Sequence, residues 1–152
     1  MNNAERIITG LVSEPEAIKV KIEWKDSYSV NVKLIDSQHK RLLKIINDLK
    51  DWADDDVPFS VLEHFIKLLT DYTVYHFTCE EKLMVEKSYP EIDDQRKEHN
   101  YFIDKLNGFK QRLNTDERLD IEMISFLVNW FIDHIQKKDK KIGDFLNSKG
   151  IS

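Results

Sequence analysis

Apolar positions along this chain recur mostly at three- and four-residue steps, and four stretches carry the pattern long enough to predict helices. The first spans about Ser37–Ala53, with Ile35, His39, Leu42, Ile46, Leu49 and Ala53 on one face. The run DDDVPFS ends it, and Ser60 reads as the N-cap of a second helix running to about Glu86. That helix turns Phe65, Leu69, Tyr72, His76, Glu80 and Leu83 inward. Tyr89–Pro90 interrupts, with Pro90 suited to the first turn of a third helix that continues to about Leu113. Its inward stripe is Gln95, His99, Phe102, Leu106, Phe109 and Leu113. After the loop NTDER a fourth helix runs from about Leu119 to Asn147, with Met123, Leu127, Trp130 and His134 inward. Four long helices with short connections predict an all-α, up-down-up-down antiparallel four-helix bundle.

The N-terminal part reads differently. Residues 1–19 hold no sustained period and contain Pro15, which predicts an extension preceding the bundle domain of residues 20–152. Residues 20–34 alternate weakly and are rich in β-branched and aromatic types. A lone strand has no partner to pair with, so an extended segment packed on the bundle is expected.

Composition removes several function classes. The chain has 152 residues, enough for one sizeable core, and a net charge of −5. It has no basic block, so no nucleic-acid partner is expected. Neither a membrane-spanning run nor a signal peptide is read. Cys79 is the sole cysteine, which excludes an internal disulfide and fits a cytoplasmic protein.

The chemistry lies in the polar exceptions to the apolar stripes. His39, His76, His99 and His134 fall on the inward faces of four different helices, whereas His64 falls outside the stripe. One histidine on an apolar face is ordinarily a satisfied core residue. Four unpaired imidazoles in one core would each cost about 1–3 kcal/mol in lost hydration, unless they converge on a common partner. Imidazole suits iron, zinc, copper or nickel. Glu80, four residues after His76, shares its helix face and calls for a cation. Glu81 is one step round and reads as solvated. Asp139 is five residues after His134, about 140° round an ideal helix, and reaches the same face only through a locally widened turn. Four histidines with one or two carboxylates exceed a tetrahedral zinc site and match two bridged ions.

Together, the segments "WKDSYSVNVKLIDSQHKRLLKIINDL" (24–49), "HFTCEEKLM" (76–84), "YP" (89–90), "HNYF" (99–102) and "WFIDHIQKKD" (130–139) resemble the hemerythrin family, its single-domain bacterial type above all. The resemblance implies reversible O2 binding at two non-haem iron ions bridged by an oxo or hydroxo group. It implies that His39 and His76 ligate the iron that is open to O2, that His99 and His134 ligate the other, and that Glu80 and Asp139 bridge them. Trp130, Phe131 and Ile135 would form the apolar lining beside His134. Trp24 matches a tryptophan that packs the N-terminal segment. Asn31 stands where the family motif SVGV has glycine, and asparagine tolerates the left-handed backbone such a turn needs.

One position departs. Four residues before His99 the family places a third histidine for the second iron, and this chain has Gln95. Three roles stay open for it: a neutral oxygen ligand to iron, a hydrogen-bond partner of a water filling the vacancy, or a packing residue of a degraded site. O2 capture for storage, delivery or sensing is the leading expectation, with residues 1–19 available to dock a partner. A di-iron enzyme reducing peroxide or nitric oxide is the alternative, and an apo bundle with relic ligands a third.

Overall fold

A computed structural model describes residues 21–53, 57–115 and 118–152. The predicted extension over residues 1–19 lies outside these. Helix α1 is Lys33–Trp52, α2 is Phe59–Glu86, α3 is Ile92–Gln111 and α4 is Leu119–His134. One π-helical turn, Ile135–Asp139, follows α4 and runs directly into α5, Lys140–Ser148, so the last three elements form one rod. No strand occurs among the described residues, and the elements form the four-helix bundle expected.

Between α2 and α3, Ser88 takes a left-handed φ of 58° and the Tyr89 N–H returns to the Met84 carbonyl at 2.8 Å. This closes the free carbonyls of the helix end, and Pro90 prevents its continuation. α2 packs between α1 and α3, while α4 packs on α1. Aromatic edges close the remaining seam: Phe102 meets Trp130 at 4.4 Å and Phe126 at 5.6 Å between ring centres.

Four expected boundaries shift. α1 begins at Lys33, four residues early, because Asp36 caps what precedes it. Its carboxylate accepts from the Val30 N–H at 2.8 Å and the Ser29 hydroxyl at 2.5 Å. Ser60 is not the N-cap of α2. Pro58 holds that place with its fixed extended backbone, and no side chain caps the helix. Pro90 lies two residues before α3 and not within its first turn, and α3 ends at Gln111 before Leu113.

Residues 21–32 pack as an extended segment with one 3₁₀ turn, Asp26–Tyr28. Asn47 exchanges two hydrogen bonds with the Ile22 backbone, 3.1 and 2.8 Å, and so ties the segment to α1. Trp24 sits edge-on to Tyr28 at 5.7 Å, with the Lys40 ammonium 5.0 Å above its ring. Asn31 has φ 58°, the left-handed turn anticipated for it. Gly143 explains how closely the segment docks: a Cβ there would lie 2.1 Å from the Val30 carbonyl oxygen.

The apolar interior forms two clusters. One holds Leu42, Leu69, Phe77, Phe102 and Trp130; the other holds Ile35, Met84, Tyr89, Ile142 and Leu146. Along every helix the change from one to the other occurs at polar residues: His39 in α1, His76 and Glu80 in α2, Gln95 and His99 in α3, His134 and Asp139 within the last rod. All seven are at least 97 % buried. A polar layer therefore cuts across an otherwise greasy bundle.

Candidate metal centre

Within the layer, Glu80 and Asp139 each reach two sets of imidazoles. Glu80 Oε1 lies 2.6 Å from His76 Nε2 and 3.4 Å from His39 Nε2, while Glu80 Oε2 lies 3.3 Å from His99 Nε2. Asp139 Oδ2 lies 3.0 Å from His39 Nε2, and its Oδ1 lies 3.1 Å from His134 Nε2. Both carboxylates thus direct one oxygen to the His39–His76 pair and the other to the His99–His134 pair. Donor atoms of His39, His76, Glu80 and Asp139 fall within 4.8 Å of one another.

The π turn is what admits Asp139. A fifth residue in the turn carries its side chain back to the face of His134, from the position an ideal helix would give it on the far side. The sequence reading allowed for such a widened turn, and the structure contains it.

Polar groups outside the layer fix the rings. Gln38 Oε1 accepts from His76 Nδ1 at 2.7 Å, and the Tyr72 hydroxyl in turn donates to the Gln38 backbone carbonyl at 2.8 Å. Glu81 Oε2 accepts from His99 Nδ1 at 2.9 Å, while Arg96 Nε donates to Glu81 Oε1 at 3.2 Å. Glu81 was expected to be simply solvated. It is partly buried and orients His99, because a residue one step round α2 points at α3 and not at bulk water. Sequence periodicity also passed over Gln38 and Glu98, the latter 3.8 Å from His134 Nδ1. Their adjacency to His39 and His99 was the available signal. Stacked aromatics complete the frame: Phe77 lies 3.9 Å from His99 at 6° between planes, and Trp130 lies 4.2 Å from His134 at 11°.

These ring contacts decide which nitrogen is free. Because His76 and His99 turn Nδ1 toward acceptors, their Nε2 atoms are the ones that face the oxygens of Glu80. The Nε2 atoms of His39, His99 and His134, both Glu80 oxygens and Asp139 Oδ1 form no hydrogen bond despite being buried. Lone pairs facing lone pairs at about 3 Å repel unless positive charge lies between them. Without metal, protons supply it. Desolvation lowers the affinity of His39 for a proton, but hydrogen bonding and charge from Asp139 and Glu80 outweigh it and raise its pKa to about 9. His134, likewise desolvated, is raised to about 10 by Asp139 and Glu98. Burial pushes the carboxylates up, yet the neighbouring histidines hold Glu80 well below its ordinary range and Asp139 down to about 2. The donor set fits borderline divalent cations, iron among them.

Residues 30–146 match the sequence model of the Hemerythrin HHE cation binding domain. This chain belongs to the hemerythrin family. It is 32 % identical over 116 residues to the bacteriohemerythrin of Pseudomonas aeruginosa, covering 76 % of this chain and 75 % of the relative. It is 33 % identical over 119 residues to the myohemerythrin of Theromyzon tessulatum, with 78 % and 88 % covered. A crystal structure of wild-type hemerythrin superposes with a TM-score of 0.76 at 27 % identity, over 84 % of this chain and 98 % of that one.

The remaining predicted positions are placed as follows. Gln95 is 2 % exposed, one helical turn before His99, and its carbonyl oxygen has no hydrogen-bond partner. Trp130, Phe131 and Ile135 are buried; Trp130 touches His134, and Phe131 lies edge-on to Tyr28 at 5.9 Å. His64 is exposed, as read. Among the described residues no helix is long and apolar enough to cross a membrane.

Proposed function

We propose that this hemerythrin binds O2 reversibly at a pair of non-haem iron ions held in the polar layer. The observation that supports the reading is the double reach of Glu80 and Asp139, each with one oxygen toward either histidine pair, with both Glu80 oxygens, Asp139 Oδ1 and the Nε2 atoms of His39, His99 and His134 unsatisfied. In this reading His39 and His76 hold one ion on the side left open to O2. His99 and His134 hold the other, and Glu80 and Asp139 span both. Two ferrous ions bound there would supply the electrons for reversible O2 capture. The chain's own residues set the conditions for it. Gln38 and Glu81 lock the ring orientations, and Trp130, Phe131 and Ile135 exclude water that would otherwise stabilise separated charge.

Gln95 alters the second half of the site. Its side-chain carbonyl, on the same helix face as His99, is a neutral oxygen donor where imidazole would stand, and a weaker one. A second reading follows from that single residue: a centre with one exchangeable ligand is suited to consuming peroxide or nitric oxide.

The test is anaerobic loading with ferrous iron, a count of iron per chain, then admission of O2. About two irons per chain and a charge-transfer absorption that disappears under vacuum support the carrier. Rapid irreversible conversion to the ferric form with sustained peroxide turnover supports the enzyme. A chain that retains no iron excludes both.

A further inference from the structure

Gln95 marks the place where the polar layer meets the outside. A small cleft of about 10 Å³ ends on it, bounded by Tyr89, Glu91, Asp94, Lys138 and Lys141. That volume admits about one water. The walls come from two places, the start of α3 and the rod beyond α4. Lys138 belongs to the same π turn that brings Asp139 inward. Two loose ion pairs frame the mouth, Lys138 to Asp94 and Lys141 to Glu91, both 3.7 Å. The Tyr89 hydroxyl donates to Glu91 at 3.2 Å.

Phe77 covers one face of His99, and Trp130 covers one face of His134. Gln95 lines this cleft, and its carbonyl oxygen is buried, unpartnered and able to accept two hydrogen bonds. Two acids and two lysines at the mouth balance, so no net charge selects an ion. Hydrogen bonding selects a small neutral protic molecule. O2, apolar and without a proton to donate, gains nothing here.

We propose that this cleft is a port through which one small neutral protic molecule, water or hydrogen peroxide, reaches Gln95 and the His99–His134 half of the centre. The inference rests on the two-ion reading above. Gln95 accepts the hydrogen bond of the guest and holds it beside the metal position. A histidine at the same place would fill that position with its own ring. The port supplies the exchangeable ligand that an imidazole-complete half would lack.

Manganese(II)-loaded protein tests this without any catalytic assay, because a water exchanging near the ion accelerates the proton relaxation of bulk solvent. Bound manganese is counted first; a chain holding none overturns the two-ion reading and this proposal with it. With manganese bound, the near-isosteric Gln95→Leu is expected to remove at least about half of the solvent relaxation enhancement. Lys141→Ala, a change at an exposed residue that widens the mouth, is expected to increase the exchange rate about threefold. Full occupancy with relaxation unchanged by both substitutions overturns the port and leaves the two-ion reading standing. A second arm separates the two guests. Ferrous protein is mixed with hydrogen peroxide, which takes one electron from each of two irons and, as its O–O bond breaks, leaves as two hydroxides. A peroxide rate that drops about tenfold in Gln95→Leu, and by more than the rate of oxidation by O2 in the same variant, assigns peroxide to the port as well. An unchanged peroxide rate restricts the port to water.

Discussion

The two halves of the polar layer are built from the same parts and are not equivalent. Around His39 and His76 the donors lie within 4.8 Å of one another, and the ring of His76 is held by a neutral amide, Gln38. Around His99 and His134 the backing groups are carboxylates, Glu81 bonded to His99 at 2.9 Å and Glu98 standing 3.8 Å from His134, and Gln95 lies buried one helical turn before His99. One half is compact and backed by neutral groups. The other is backed by negative charge, and its Gln95 lines a small cleft. Ligand identity alone therefore does not describe such a centre. On the proposed two-ion reading, the groups behind the ligands and the amide at Gln95 would make one ion firm and the other exchangeable.

Removing what the halves share has the largest effect. Glu80→Ala takes oxygens from both sides and leaves four imidazoles with one carboxylate; ferrous affinity is expected to fall at least about 100-fold on both, measured by anaerobic titration calorimetry. A smaller and one-sided loss tests the asymmetry. Glu81→Gln keeps the acceptor and removes the charge behind His99, so the weaker binding phase alone is expected to weaken about tenfold. Gln38→Ala is expected to weaken the tighter phase by a similar factor, and a loss spread equally over both phases by either substitution would remove the distinction. Gln95→His pushes the opposite way. It completes the second half and is expected to strengthen the weaker phase about tenfold, merging the two binding steps into one in the same titration.

Proton binding gives the smallest effect. In the metal-free chain His39 and His134 are raised from 6.5 to about 9 and about 10. Their stabilisation is complete below pH 6.5 and is lost as pH rises through those values. Asp139 is lowered from 3.8 to about 2, so its contribution is present above 3.8 and lost as pH falls through about 2. Metal-free protein should be most stable between roughly pH 4 and 6.5 and its Tm should fall by several degrees toward pH 10. Metal-loaded protein, with ring nitrogens already occupied, should show no such alkaline decline. Thermal melts followed by circular dichroism check both.

Much of this was legible in the sequence because the bundle obeys one period. His39, His76, His99, His134 and Glu80 stand on apolar stripes, and all are buried together. Asp139 shows the limit of that reading. A 3.6-residue period places it on the wrong face, and only the inserted residue of the π turn corrects it; the segment's resemblance to known relatives supplied what periodicity lacked. Glu81 shows a second limit. Side chains at the edge of a stripe serve either water or the next helix, and the choice depends on which neighbour packs there, which spacing along one helix does not encode. Helix starts were missed for a related reason: Asp36 caps by reaching backward to Val30, and Pro58 outranks Ser60 through backbone geometry alone.

The central claim is that two unequal cation positions share Glu80 and Asp139. Anomalous diffraction at the iron edge, from crystals grown anaerobically with excess ferrous salt, tests it most directly. The account predicts two peaks. The stronger lies between His39 and His76, the weaker between His99 and His134 on the side facing Gln95, and each is about 2 Å from a carboxylate oxygen. A single peak, or none, with the imidazole pairs turned away from both carboxylates, would contradict it.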